Sequence, residues 1–219
     1  MAVITISREL GCDGDTIAQE VAKKLGYHLI DKEFVGAVMS EYGLIEFDRE
    51  YDHLPTFWEK FDMQKEERRE VLVDMLNRVI RAVAQHGNVV ILGRSGYVIL
   101  NEFADVLNVR IQAPKSFRVQ RVAEQDGSSL EKAEEKVLES DKVRSIFIET
   151  FYDIQWESVN DFDICINRSK IPVSLIVNSL STATQALAKQ DITPLTSSIE
   201  VDATLAKAIS EEFDCESVH

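Results

Sequence analysis

The 219-residue sequence is poor in cysteine, in long apolar runs and in basic charge. Cys12, Cys165 and Cys215 are an odd number, far apart, and fall in no metal-ligand spacing. No apolar run approaches the roughly 20 residues that a membrane-spanning helix needs. Lys and Arg total 24 against 38 Asp and Glu, a net charge of −14. That balance argues against nonspecific DNA or RNA binding, which draws on clustered cations. A small anionic ligand stays compatible with it, because a few arginines can face a local pocket. The opening "MAVITISREL" enters a strand pattern with no basic leader or cleavage site, so the cytoplasm is the expected compartment, with thiols kept reduced.

What is present is a chain 45% hydrophobic and 28% charged, long enough for one well-buried α/β core. Val3 to Ile6 starts a strand. Ile17, Val21, Ala22 and Leu25 follow at helical spacing, and Gly26 is a stop signal. "YHLIDKEFV" reads as a second strand turning into a helix near Asp31. Leu72, Met75, Leu76, Val79, Ile80 and Val83 make one apolar stripe on a helix from Lys65 to His86. "NVVILGR", "VLNVRIQA" and "FDICIN" read as further strands, the first with the unbroken apolar run of a doubly covered parallel strand. Residues 115–147 are charged and helical with a break at Gly127, and Pro172 opens another helix. Strands alternating with helices predict a three-layer α/β fold, a parallel sheet covered by helices on both faces. Past Lys189, "QDITPLTSS" reads as a linker and "IEVDATLAKAISEEF" as one amphipathic helix. That tail packs either on the body or on a second copy, making a homodimer.

Three stretches carry the chemistry. "ITISRELGCDGDTIAQEVAKKLG" places a glycine-bearing turn between a strand and a helix, where backbone N–H groups meet the positive end of the helix dipole. The pattern G-x-x-x-x-G-K-[ST] is not met, since Gly14 stands at the lysine position, although Thr16 falls where a Mg²⁺-binding hydroxyl belongs. "ILGRSGY" puts Arg94 just past a buried strand, where ligands of open α/β sheets bind. An arginine there needs an anionic partner, either a ligand or a carboxylate of the protein. "SFRVQRV" sets Arg118 and Arg121 on one helical face, and "SDKVRS" adds Asp141, Lys142 and Arg144. Phosphoryl transfer needs such cations around the moving group.

Together "ITISRELGCDGDTIA", "LGYHLIDKE", "VILGRSGYVIL", "VRIQAPKSFRVQRV", "DKVRSIF" and "FDICIN" resemble the cytidylate kinase-like family, within the P-loop nucleoside monophosphate kinase fold. The likeness covers roughly residues 3 to 187. It implies a kinase-like domain over 1–188, with an acceptor-binding insertion at 32–64 and a lid at 115–147. Residues 189–219 would add the linker and helix. It implies ATP and Mg²⁺ as cofactors and nucleoside monophosphates such as CMP or dCMP as substrates. Gly11, Cys12, Asp13, Gly14, Asp15 and Thr16 would form the phosphate loop, with Thr16 on the metal. Asp31 and Arg94 would bind the acceptor. Arg118, Arg121, Asp141 and Arg144 would be the catalytic lid cluster.

The loop departs from the family pattern. Asp13 stands at a glycine position and Asp15 where an arginine falls, and Ser95 replaces the acid after "GR". A carboxylate about 5 Å from one phosphate charge costs on the order of 3 kcal/mol at an effective dielectric near 20. Arg8, at the end of the first strand, is the candidate to supply the missing cation. The expected activity is phosphotransfer. A nucleotide-binding regulatory module without turnover, and an interaction protein that uses the tail, are the alternatives.

Overall fold

The computed structural model describes residues 1–41 and 63–216. Among these, β1 (Val3–Arg8), β2 (His28–Ile30), β3 (Val89–Leu92), β4 (Val106–Gln112) and β5 (Ile164–Asn167) form one parallel sheet in the order β2-β3-β1-β4-β5. The helices are α1 (Gly14–Leu25), α2 (Lys32–Glu41), α3 (Met63–His86), α4 (Gly96–Ile99), α5 (Lys115–Asp126), α6 (Leu130–Tyr152), α7 (Val173–Leu187) and α8 (Ala203–Glu216). No helix among the described residues is long and apolar enough to cross a membrane. Most of the 32–64 insertion, residues 42–62, lies outside the described residues.

The pleat divides the core in two, as the period of a strand requires. Ile4, Ile6, Val90, Leu92, Leu107, Val109 and Ile111 face one way, onto Ile17 and Val21 of α1 and Ile176, Val177 and Leu180 of α7. Val3, Val89, Ile91 and Val106 face the other way, onto the α3 stripe read from the sequence and onto Phe34, Val35 and Val38 of α2. β1 sits centrally, with Val3 opposite both Val89 and Val106. Its C-terminal end is therefore flanked by the ends of β3 and β4, and the loops leaving these strands meet over it.

Residues 115–147 form the expected helical pair, although α6 runs on to Tyr152. Gly127, at φ 61°, ends α5 in the left-handed region, and Ser129 caps α6 by accepting from Lys132 N. Val119 and Val122 of α5 pack on Ala133 and Val137 of α6, with Leu10 of the β1–α1 turn against them. The helical pair thus rests on the β1–α1 turn.

The tail differs from a free linker. Asp105 takes both Thr196 N (2.8 Å) and Thr196 Oγ1 (2.7 Å), and Ala104 N donates to Pro194 O. Asp202 caps α8 through Leu205 N and pairs with Arg78 of α3 at 3.0 Å. Leu205, Ile209 and Phe213 are then buried against α2 and α3. Each such buried side chain is worth about 1.5–3 kcal/mol. Of the two destinations left open for the tail, the body takes its apolar stripe.

Candidate functional site

All five strands point their C-terminal ends to one edge, where open α/β sheets bind ligands. The β1–α1 turn is built around two glycines. Gly11, at φ 86°, crosses α5 so closely that a Cβ would lie 2.6 Å from Arg118 O. A Cβ at Gly14 would lie 2.5 Å from Arg8 Cγ, so the side chain of Arg8 fills the space above the position where the loop pattern has lysine. Arg8 then runs over Gly93 and donates from Nη2 to Asp15 Oδ1 at 3.0 Å. Its charge at the turn is balanced by Asp15, the acid whose cost it was expected to offset. Cys12 is fully buried, and burial, aided by Glu9, pushes its thiol up to about 12. It is a packing residue.

Asp13 is the least expected feature of the turn. It takes the left-handed conformation at the cap of α1 (φ 52°), and its side chain is only 5% exposed. Arg121 Nη2 lies 2.7 Å from Oδ1, and Arg168 Nη2 lies 2.8 Å from Oδ2. The carboxylate ties α5 and the end of β5 to the turn, and its hydrogen bond raises the pKa of Arg121 further. Asp15 and Thr16 are exposed in the first turn of α1.

Beside the turn lies a buried ion-pair relay. Arg118 grips Asp141 of α6 with two hydrogen bonds, 3.1 and 2.8 Å, and donates from Nε to Ala113 O. Glu9 Oε2 sits 3.2 Å from Arg118 Nε and accepts from Ala113 N, and Glu9 Oε1 is 3.8 Å from Arg110. Arg110, 2% exposed, donates to Trp156 O at 2.6 Å and stacks over the Trp156 ring. This chain of charges joins the turn, the sheet, α6 and the segment after it.

The second part of the site is a cavity of about 440 Å³, whose walls include Arg8, Lys32, Arg94, Tyr97, Arg144 and Trp156. Gly93, Arg94 and Ser95 are consecutive residues at positive φ, +73°, +54° and +57°. Non-glycine residues held there cost on the order of 1–3 kcal/mol each and cluster at functional sites. That backbone delivers Arg94, 7% exposed, to the wall. Arg144 enters from α6, where Nη1 donates to Ser140 O. Tyr97 stacks on Phe162 at 4.4 Å and gives the wall an aromatic face.

The structure therefore sorts the residues singled out in the sequence into three places. Gly11 to Thr16 and Arg121 gather at the turn, Arg118 and Asp141 pair in the relay, and Arg8, Arg94 and Arg144 reach the cavity. Asp31 is not among the wall residues; it directly precedes Lys32 and caps α2, accepting from Phe34 N at 3.1 Å. Arg168, Lys32 and Glu9 join the site without having been singled out. Arg168 had a readable signal, since it directly follows the last strand at the ligand-binding edge.

Residues 3–170 match the model of the cytidylate kinase-like family. A cytidylate kinase of Ignicoccus hospitalis is 25% identical over 181 residues, 82% of this chain and 97% of that protein. A cytidylate kinase of Pyrococcus horikoshii is 29% identical over 170 residues, 77% of this chain and 80% of that one. Among solved structures, an uncharacterized protein from Eubacterium ventriosum superposes with a TM-score of 0.66 at 19% identity, covering 85% of this chain and 99% of its own. A Thermus thermophilus protein does so with a TM-score of 0.50 at 16% identity, covering 86% and 98%. These two likenesses concern the fold.

Proposed function

The chain belongs to the cytidylate kinase-like family, and from that premise we propose that it transfers the γ-phosphoryl of ATP to a nucleoside monophosphate such as CMP or dCMP. The observation that carries this reading is the pairing of the two halves of the site. A helix N-terminal turn suited to phosphates adjoins a cavity walled by Arg94, Arg144 and aromatic rings. Family relatives named cytidylate kinase supply the choice of acceptor.

The residues present fit the donor and its metal. Gly11 lets the turn pass close to α5, and Gly14 makes room for the Arg8 side chain at the helix N-terminus, where phosphates approach. Among the described residues no three His, Cys, Asp or Glu side chains converge on a metal position. Thr16 and Asp15 offer hard oxygen donors in the first turn of α1, a set suited to Mg²⁺ carried on phosphates. When bound, ATP supplies the phosphoryl group, and Mg²⁺ neutralises its oxygens.

The chain's own residues position and neutralise. Arg94, fixed by its strained backbone, holds the phosphate of the acceptor, and Lys32 and Arg144 add charge at the cavity wall. Tyr97 and Trp156 bound the space for the base. Arg8, lying over Gly14 and reaching the cavity wall, stands between the two nucleotides, where the loop lysine would otherwise act. Arg121 faces the donor from α5. Arg118 and Asp141 hold α6 in register with the turn and act as positioning residues. No strong base is required, because such transfer depends mostly on alignment and charge.

The test is transfer from γ-labelled ATP with Mg²⁺ to a panel of nucleoside monophosphates that includes CMP and dCMP, following ADP and diphosphate product. Acceptor-dependent transfer to CMP or dCMP is expected. Binding of both nucleotides by calorimetry with no transfer to any acceptor would replace the kinase by a regulatory binding module. The pairing of Arg121 and Arg168 with Asp13 is the observation that favours this second reading.

A further inference from the structure

The family match ends at residue 170, so α8 lies beyond it. Yet α8 packs on α2 and α3. Phe213, 4% exposed, inserts its ring among His28 of β2 and His86 of α3, each at 4.4 Å between centroids, and Phe34 of α2 at 5.1 Å. Phe34 lies two residues after Lys32 in the cavity wall, and its amide is the one capped by Asp31. β2, which leads into α2, is a three-residue edge strand paired to β3 alone. The strand therefore offers this first turn little support, and Phe213 packs directly against it. We propose that α8 is a brace for the acceptor side of the site. Phe213 is its positioning residue, setting the first turn of α2 and with it Lys32 relative to Arg94.

The proposal rests on the cavity being the acceptor site, and the test separates the two. Phe213→Ala and Phe213→Leu are compared with the wild type in steady-state kinetics for both substrates. Thr196→Val serves as the structural control, because it loosens the tail where it meets Asp105, just ahead of β4. The expected result is an acceptor KM raised about tenfold in Phe213→Ala, with kcat and the ATP KM within about twofold. Leucine, which refills most of the space, should bring it back near the wild-type value. Thr196→Val should lower the melting temperature without moving either KM.

Unchanged acceptor KM in folded Phe213→Ala would overturn the brace, and so would an equal rise in Thr196→Val. Should the wild type transfer to no acceptor, the reading of the cavity fails, and hydrogen exchange decides the brace by itself. The amides of Phe34 and Val35, bonded to Asp31 Oδ1 and O, should then exchange faster in Phe213→Ala, with α1 unaffected. Unaltered exchange at these two amides would sink the proposal.

Discussion

The β1–α1 turn and the cavity, the proposed donor and acceptor sides, place their cations differently. At the β1–α1 turn the arginines are matched to the protein's own carboxylates: Arg121 and Arg168 to Asp13, Arg118 to Asp141 and Glu9, Arg8 to Asp15. At the cavity, Lys32, Arg94 and Arg144 stand in the wall, and Glu139 is the acid that shares it with them. Among the described residues, acids at the turn pair with its arginines, and basic side chains gather in the cavity wall. On the proposed reading the donor side is a framework of ion pairs, and the acceptor side would receive the phosphate of the second nucleotide. Cations must surround a moving phosphoryl group, so the two sides test different things when their residues are removed.

The largest effect should come from the framework. Asp141→Ala leaves Arg118, 6% exposed, with its bidentate partner gone. Breaking a buried pair from one side costs about 3 kcal/mol, visible as a lower denaturant midpoint. Kinetic constants of the protein that remains folded should move far less than its stability. If stability were unchanged and turnover collapsed, Arg118 and Asp141 would belong to the reacting centre. The mirror image is Arg94→Ala, which should raise the acceptor KM about 100-fold and leave the ATP KM nearly alone. Equal effects on both substrates would erase the distinction between the two sides.

The same contrast explains what could be read from the sequence. Strands were legible because each is a short β-branched or apolar run, and the helices that cover the sheet were legible from their 3.6-residue stripes, so the covered parallel sheet followed from periodicity. Arg94 was legible from its place after a buried strand. Local signals end there. α4 is four residues long after a run of positive φ, and nothing in "SGYVIL" announces it. "QDITPLTSS" has a linker's composition, yet Thr196 is fixed by Asp105, which lies 91 residues earlier in the chain. The partners of Asp13 come from α5 and from the residue after β5, a convergence that only the folded sheet creates. Arg118 and Asp141 were singled out together as a catalytic cluster, and that they satisfy each other was written in no spacing.

Asp13 gives the smallest and most discriminating prediction. Its carboxylate occupies Arg121 and Arg168 beside the turn proposed to take the donor's phosphates. Asp13→Asn removes one negative charge and leaves a neutral acceptor of similar shape. Stability should fall, because two partly buried guanidinium groups lose their counter-charge. ATP affinity should rise about tenfold, because a phosphate no longer competes with an internal carboxylate for the same arginines. The acceptor affinity should stay put, since Asp13 is absent from the cavity wall. The opposite sign on the donor side is equally informative. A fall in ATP affinity would mean that Asp13 aims Arg121 and Arg168 at the nucleotide, making the framework part of the receptor. Calorimetry with ATP and Mg²⁺, run beside thermal melting of the same variant, separates these outcomes, because the first makes affinity and stability move in opposite directions and the second makes them fall together.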